Sequence, residues 1–218
     1  QELVQITGGS AGNTIFALAR LGIQTSFIGK IGNCASGDFY KESLAQHGGS
    51  TQSFKIGNIP NGKCLSLVTP DGQRTMRTSL GAAMTLAEDE LNHSDFQDYD
   101  HLHIEGFLIL NKDVLHKSLD LAKSNNLTVS FDLASFEIVN QSKSELKEIL
   151  KNHVDMVFAN EDEAAAFTQL PPAQSEESVK ILNELCETAV VKLGAQGSLI
   201  AKDQTIIHSE AIPVKEVI

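Results

Sequence analysis

The chain has 218 residues, with 28 Asp and Glu against 17 Lys and Arg, a formal net charge of −11. That length makes one large domain or two small ones, and 41% hydrophobic residues can build a sizeable core. The acidic balance argues against nucleic acid or an acidic membrane surface as partner, and no stretch approaches the ~18 apolar residues of a membrane span.

Taken in chain order, Gln1 to Gln5 carries no basic or apolar leader and no initiator Met. Gly8-Gly9-Ser10-Ala11-Gly12-Asn13 then reads as a glycine-rich loop feeding a helix. Asn13 and Thr14 are suited to cap that helix, which continues through Ile15, Phe16, Leu18 and Ala19 to Gly22. Residues 25–31 read as a strand. A helix from Ser36 carries Phe39 and Leu44 and stops at Gly48-Gly49. Two β runs, 63–69 and 73–79, flank Pro70-Asp71-Gly72, a strong turn signal, so a hairpin is expected. This segment near residues 50–80 reads as a small β appendage or lid. Thr85-x-x-Glu88 has the form of a capping box.

The second half alternates apolar runs with helical stretches. Strands are expected at 101–104, 127–131, 154–159 and 189–193, and helices at 113–124, 142–151 and 175–187. Ser142 with Glu145 has the capping-box spacing. This order argues for an α/β fold with a mostly parallel sheet and flanking helices. Residues 197–202 and 205–208, split by Asp203-Gln204, look like a closing hairpin. Pro213 to Ile218 reads as a strand cut short, so both chain ends are expected trimming points.

Several residues carry candidate chemistry. The first glycine loop can offer backbone N–H groups at a helix N-terminus to an anionic ligand. It does not match G-x-G-x-x-G or a P-loop, which weakens a Rossmann-type oxidoreductase reading. Taken alone it is a plain turn. His101-x-His103-x-Glu105 places three metal-ligand types on one strand face, with no fourth ligand suggested elsewhere. Glu105-Gly106-Phe107 and Asp132 with Phe136 end successive strands as candidate pocket walls; the aromatics are equally suited to a core. Cys34, Cys64 and Cys186 are odd in number and lack C-x-x-C spacing, so they read as small buried hydrophobes in a reducing, cytoplasmic compartment.

Spaced out, Gly8-Gly9-x-Ala11-x-Asn13, Gly22 and Gly32 resemble the N-terminal signature of the PfkB carbohydrate-kinase family, the ribokinase-like kinases. Ile15 departs from the small residue usual there. Gly29-Lys30-Ile31-Gly32 with Gly37-Asp38-Phe39 resembles the family's next glycine stretch, with Asn33 and Cys34 in place of acidic residues. Thr69-Pro70-Asp71-Gly72-Gln73-Arg74-Thr75 with Leu80-Gly81-Ala82 resembles an adenosine-kinase-like bacterial branch. The resemblance covers essentially all of residues 1–218 and implies a single ribokinase-like domain, incomplete at both ends, with a β-hairpin lid.

The resemblance also implies roles. Gly8, Gly9 and Asn13 would contact hydroxyls of a sugar or nucleoside, and an amide both donates to and accepts from vicinal hydroxyls. Asn160 and Glu163 match an N-x-x-E motif that places Mg²⁺ and phosphate through water, although Asn160 is also a natural N-cap with Glu163 at N3. Lys192-Leu193-Gly194-Ala195-Gln196-Gly197 resembles the nucleotide-side turn, with Lys192, where Thr is commoner, and Gly194 and Gly197 near ATP. The implied activity is transfer of the ATP γ-phosphoryl group to a hydroxyl. A non-catalytic ligand-binding protein on the same fold is the alternative. The family's Gly-Ala-Gly-Asp motif, which supplies base and anion hole, does not occur here, so no catalytic residue is assigned and the chain is expected to be part of a longer kinase. A homodimer paired through the hairpin is a further expectation.

Overall fold

The structure, a computed structural model, describes residues 4–69, 71 and 74–213. Pro70 and Gly72 of the expected turn, Gln73 of the expected second β run, residues 1–3, and residues 214–218 of the expected last strand lie outside the described residues. The chain divides into two compact units, residues 1–95 and 96–218.

In the first unit, α1 (Ser10–Arg20) turns Phe16 and Ala19 inward. It ends where Gly22 takes φ 80°, with Gly22 N–H donating to Ala19 O and Ile23 N–H to Leu18 O. Strand β1 (Gly29–Gly32) leads through α2 (Ala35–Gln46) to β2 (Phe54–Gly57), which pairs with β1 in parallel. The spacing of Gly32 and Gly37 has a packing cause: a Cβ on Gly37 would strike the Gly32 carbonyl oxygen. Phe16, Ala19, Ile31, Leu44 and Phe54 form the core, with Ile15, Phe27 and Tyr40 packed against it. The rings meet edge to face, as at Phe27 and Phe54, 5.7 Å between centroids.

Strands β3 (Lys63–Val68) and β4 (Arg74–Ser79) form the expected antiparallel hairpin, with Lys63 opposite Ser79. Every residue of β3 is exposed. The Thr85 capping box does not form: Thr85 Oγ1 donates instead to Ala82 O, inside a short 3-10 turn. Glu90, not Glu88, accepts a turn-opening N–H, that of Ala87. Glu90 also pairs with Lys30 of β1 at 2.7 Å, and Asp95 with Lys55 of β2 at 2.8 Å, which ties these turns to the two strands.

The second unit holds a six-stranded sheet. Its strands are β5 (His101–Glu105), β6 (Thr128–Asp132), β7 (Met156–Asn160), β8 (Thr188–Lys192), β9 (Ser198–Lys202) and β10 (Thr205–Ser209). They lie side by side in sequence order. β5 to β8 are parallel, and β9 and β10 are antiparallel additions. Asp203 and Gln204 turn the last hairpin with φ 49° and 63°, the paired left-handed conformation of a tight hairpin. Helices α3 (Lys112–Ser124), α4 (Phe136–His153), α5 (Glu161–Thr168) and α6 (Ser175–Asn183) fill the crossovers. α4 begins earlier than the Ser142 signal suggests. Ser135 caps it by accepting the Ile138 N–H, and Ser142 marks a kink at φ −124°, ψ 17°. Glu145 pairs with Lys112.

Alternation gives the sheet two different faces. Ile104, Val129, Phe131, Val157, Ala159, Ala189 and Val191 are buried on one. His101, His103 and Glu105 line the other, opposite Thr128, Ser130 and Asp132 in register. All three cysteines are free, as expected, but none is fully buried: Cys64 is exposed, and Cys34 and Cys186 are half-buried.

Candidate functional site

In the first unit, the Gly8-Gly9 backbone is open. A Cβ at either position would meet nothing within 4 Å, yet Gly9 holds φ 94°, which favours glycine. Gly9, rather than Asn13, is the N-cap of α1, and its carbonyl accepts the Asn13 N–H at 2.8 Å. Asn13 is the fourth helical residue and its side chain is exposed. The capping reading of Asn13 is therefore corrected, and its amide is left to face outward.

Tyr40, on α2, holds this loop and was not picked out by sequence reasoning. Its hydroxyl donates to Gly8 O at 3.1 Å. A Cβ on Gly12 would collide with the same hydroxyl, which explains the third glycine of the loop. Burial pushes the Tyr40 phenol up to about 12, so it remains a neutral donor. A tyrosine inside a helix carries no local sign of this contact.

In the second unit, the C-terminal ends of the parallel strands gather Glu105, Asp132, Asn160 and Lys192. This is the edge where ligands bind in open α/β sheets. Asn160 and Glu163 form a reciprocal cap on α5. Asn160 Oδ1 accepts the Glu163 N–H at 2.9 Å. The two Glu163 oxygens accept from Asn160 N (2.7 Å) and Nδ2 (2.8 Å). Glu163 is only 4% exposed. Burial above all, together with the charges of Asp132 and Glu105, holds its carboxyl above the usual carboxylate range; the Asn160 hydrogen bond and Lys192 oppose this. The capping role of this pair is thus real.

Lys192 Nζ pairs with Asp132 Oδ2 at 2.6 Å. Beyond it, Gly194–Gln196 makes a 3-10 turn closed by Leu193 N–H donating to Gly197 O at 2.8 Å. Gly194, at φ 55°, has open space where a side chain would be. Gly197, at φ 91°, does not: its Cβ would strike Ser209 O of β10, so packing alone demands glycine there. Phe107 and Phe136 are 47% and 48% exposed, which removes the core reading for both.

The two strand histidines are engaged with hydroxyls. His101 contacts Thr128 Oγ1 (2.7 Å) and Ser130 Oγ (2.7 Å), and His103 Nδ1 contacts the same Ser130 oxygen (2.8 Å). Ser130 has one hydroxyl proton, so it can donate to only one of the two rings. His103 Nε2 lies 3.5 Å from Glu105. Among the described residues, no group of three His, Cys, Asp or Glu is arranged to hold a metal ion.

Comparison with known proteins adds a whole-chain match. The pattern of the pfkB family carbohydrate kinases matches residues 1–218. The chain belongs to the pfkB family. It is 25% identical over 205 residues to an uncharacterized sugar kinase of Archaeoglobus fulgidus, an alignment covering 92% of this chain and 78% of that protein. It is 26% identical over 221 residues to a ribokinase of Staphylococcus aureus, covering 96% and 68%. The adenosine kinase structure from Sinorhizobium meliloti superposes with a TM-score of 0.89 at 26% identity, covering 99% of this chain and 67% of that one. The ribokinase-like fold expected from the sequence is therefore present, in a chain that spans 67% to 78% of the length of these pfkB-family and structural relatives. No helix among the described residues is long and apolar enough to cross a membrane.

Proposed function

We propose that the protein transfers the γ-phosphoryl group of ATP to a hydroxyl of a sugar or nucleoside. The observation that carries this reading is the buried Glu163 carboxylate locked to Asn160 at the end of β7, in a pfkB-family chain. The cap accounts for the Asn160 contacts of Glu163, while the charges of Asp132 and Glu105 both oppose a charged carboxyl there. A hydrated divalent cation would offset that opposition.

The donor set fits Mg²⁺ held through water. Both Glu163 oxygens already accept one hydrogen bond each, and each keeps a lone pair for a metal-bound water. Mg²⁺, when bound, would neutralise charge on the transferring phosphate. Asn160 keeps Glu163 in one orientation, so no reorganisation is needed as charge develops. Gly194 offers an unobstructed backbone to the phosphates, Gly197 keeps that turn closed, and Lys192 adds a cation. In the first unit, Gly8 and Gly9 present bare backbone and Asn13 a free-facing amide to vicinal hydroxyls. Exposed Phe107 and Phe136 suit stacking on a flat base. The hairpin's outward Leu65, Leu67, Val68 and Met76 support a lid or a pairing surface for a second copy.

A coupled ADP-release assay on the full-length gene product, with adenosine, ribose and fructose in turn, tests the reading. Substrate-stimulated ADP release supports it. A ligand-dependent rise in melting temperature without turnover favours a non-catalytic binding protein instead.

A further inference from the structure

The ends of the parallel strands carry an ion pair that neither the sequence motifs nor the Asn160–Glu163 cap accounts for. Asp132 closes β6 and Lys192 closes β8, so β7 lies between them. Asp132 is opposite Phe158 in register, and Lys192 is opposite Asn160. The Lys192 side chain therefore reaches across the end of β7 to meet Asp132 Oδ2 at 2.6 Å.

Asp132 is built to receive it. Its second oxygen, Oδ1, accepts the Ala134 N–H at 2.9 Å. Ala134 holds φ 68°, a left-handed conformation that is unfavourable for a residue with a Cβ. Local strain is thus accepted where the carboxylate is oriented. The two partners differ in exposure: the Asp132 side chain is 16% exposed, whereas that of Lys192 is 47% exposed. An ion pair this open to water contributes little to stability, so stability is a weak reason for so directed an arrangement. What the pair does achieve is to remove the rotameric freedom of a long side chain. An ammonium has three N–H donors. One is on Asp132, and the other two remain for a ligand.

We propose that Asp132 is a positioning residue that holds the Lys192 ammonium over the end of β7 for the phosphate chain of the donor nucleotide. This rests on the phosphotransfer reading of the same site. The contact is non-covalent: the Lys192 ammonium keeps Asp132 as one acceptor and takes phosphate oxygens as the others. Without Asp132 the ammonium still exists but is spread over many orientations, so nucleotide affinity falls while the chemistry downstream of binding is touched less.

Steady-state kinetics of the full-length protein, with its best hydroxyl substrate held saturating, separates this from a structural strut. The variants are Asp132→Asn, Lys192→Met and the double substitution. In Asp132→Asn the side-chain amide keeps an oxygen for the Ala134 N–H, so the turn survives, and melting temperatures check that it does. Each single variant is expected to raise the KM for MgATP about tenfold, the loss of one charge-assisted contact. The KM for the hydroxyl substrate should stay within about twofold, and kcat should fall less than the ATP KM rises. The double variant should be no worse than the poorer single one, because both remove the same contact. An unchanged ATP KM in Asp132→Asn, or full multiplication of the two effects, overturns the proposal. If the wild type transfers no phosphate to any hydroxyl compound, the phosphotransfer reading fails by itself. Titration of the same variants with MgATP then still decides the pairing, and no binding by the wild type overturns both.

Discussion

The hydroxyl of Tyr40 donates to the carbonyl of Gly8 at 3.1 Å, across 32 residues of sequence, and leaves no room for a side chain at Gly12. A glycine loop is conformationally free by composition, and this contact removes part of that freedom. The open backbone of Gly8 and Gly9 is thus held in place by a residue that makes none of the loop's own turns.

Tyr40→Phe removes that contact and keeps the ring packing against Phe16, 5.5 Å between centroids. A neutral hydrogen bond is worth about 1 kcal/mol net. The substitution should therefore lower stability by about that amount in chemical denaturation and raise the KM for the hydroxyl substrate a few-fold. An unchanged KM would separate Tyr40 from the loop's function.

Asn13→Ala should divide binding from folding. Asn13 is exposed inside α1 and caps nothing, and alanine is the better helix former by about 0.5 kcal/mol. Stability should stay level or rise slightly, while affinity for the hydroxyl substrate in isothermal titration drops about tenfold or more. Unaltered affinity would remove Asn13 from the site.

Much of the fold was legible because period and punctuation are local. The four parallel strands, the closing hairpin at Asp203-Gln204 and the Gly22 stop all announce themselves within a few residues. Where the reading failed, a competing local signal or a distant partner decided. Ser142 has the spacing of a cap, yet Ser135 does the capping and Ser142 only bends the helix. Asn13 has cap chemistry, yet the left-handed Gly9 opens the helix before it. Gly197 carries a packing demand from β10 that the turn motif does not announce. The Tyr40–Gly8 and Asp132–Lys192 contacts join residues 32 and 60 positions apart, and no pattern within one element encodes them.

His101 gives stability a pH dependence of definite sign. Partial burial, reinforced by the charge of nearby His103 and opposed by Asp155, lowers its proton affinity in the fold. Thr128 and Ser130 supply its other neighbours. The unfolded chain takes the proton first, near the ordinary imidazole value of about 6.5. The contribution is therefore complete above that value and is lost as pH falls from it toward the lowered folded-state value. Denaturation from pH 8 to pH 5.5 should show wild-type stability falling more steeply with acid than that of His101→Gln. Parallel curves would contradict this placement of the ring.

Glu163→Gln retains the shape of the side chain but loses its charge. One oxygen facing Asn160 becomes an NH₂ group turned toward a donor, so stability should fall by about 1–3 kcal/mol. The Mg²⁺ concentration giving half-maximal turnover should rise by about an order of magnitude, as for loss of a partner that orients metal-bound water. A metal dependence identical to wild type would confine Glu163 to capping α5.

The central claim is that a hydroxyl compound, rather than water, receives the phosphoryl group. Mass spectrometry of reactions containing the full-length protein, MgATP and a panel of sugars and nucleosides measures this directly. The account predicts that one member of the panel gains a single phosphate in step with ADP formation, and that Asn13→Ala suppresses that product. ADP formed with only inorganic phosphate beside it, or no product from any hydroxyl compound the protein binds, would contradict it.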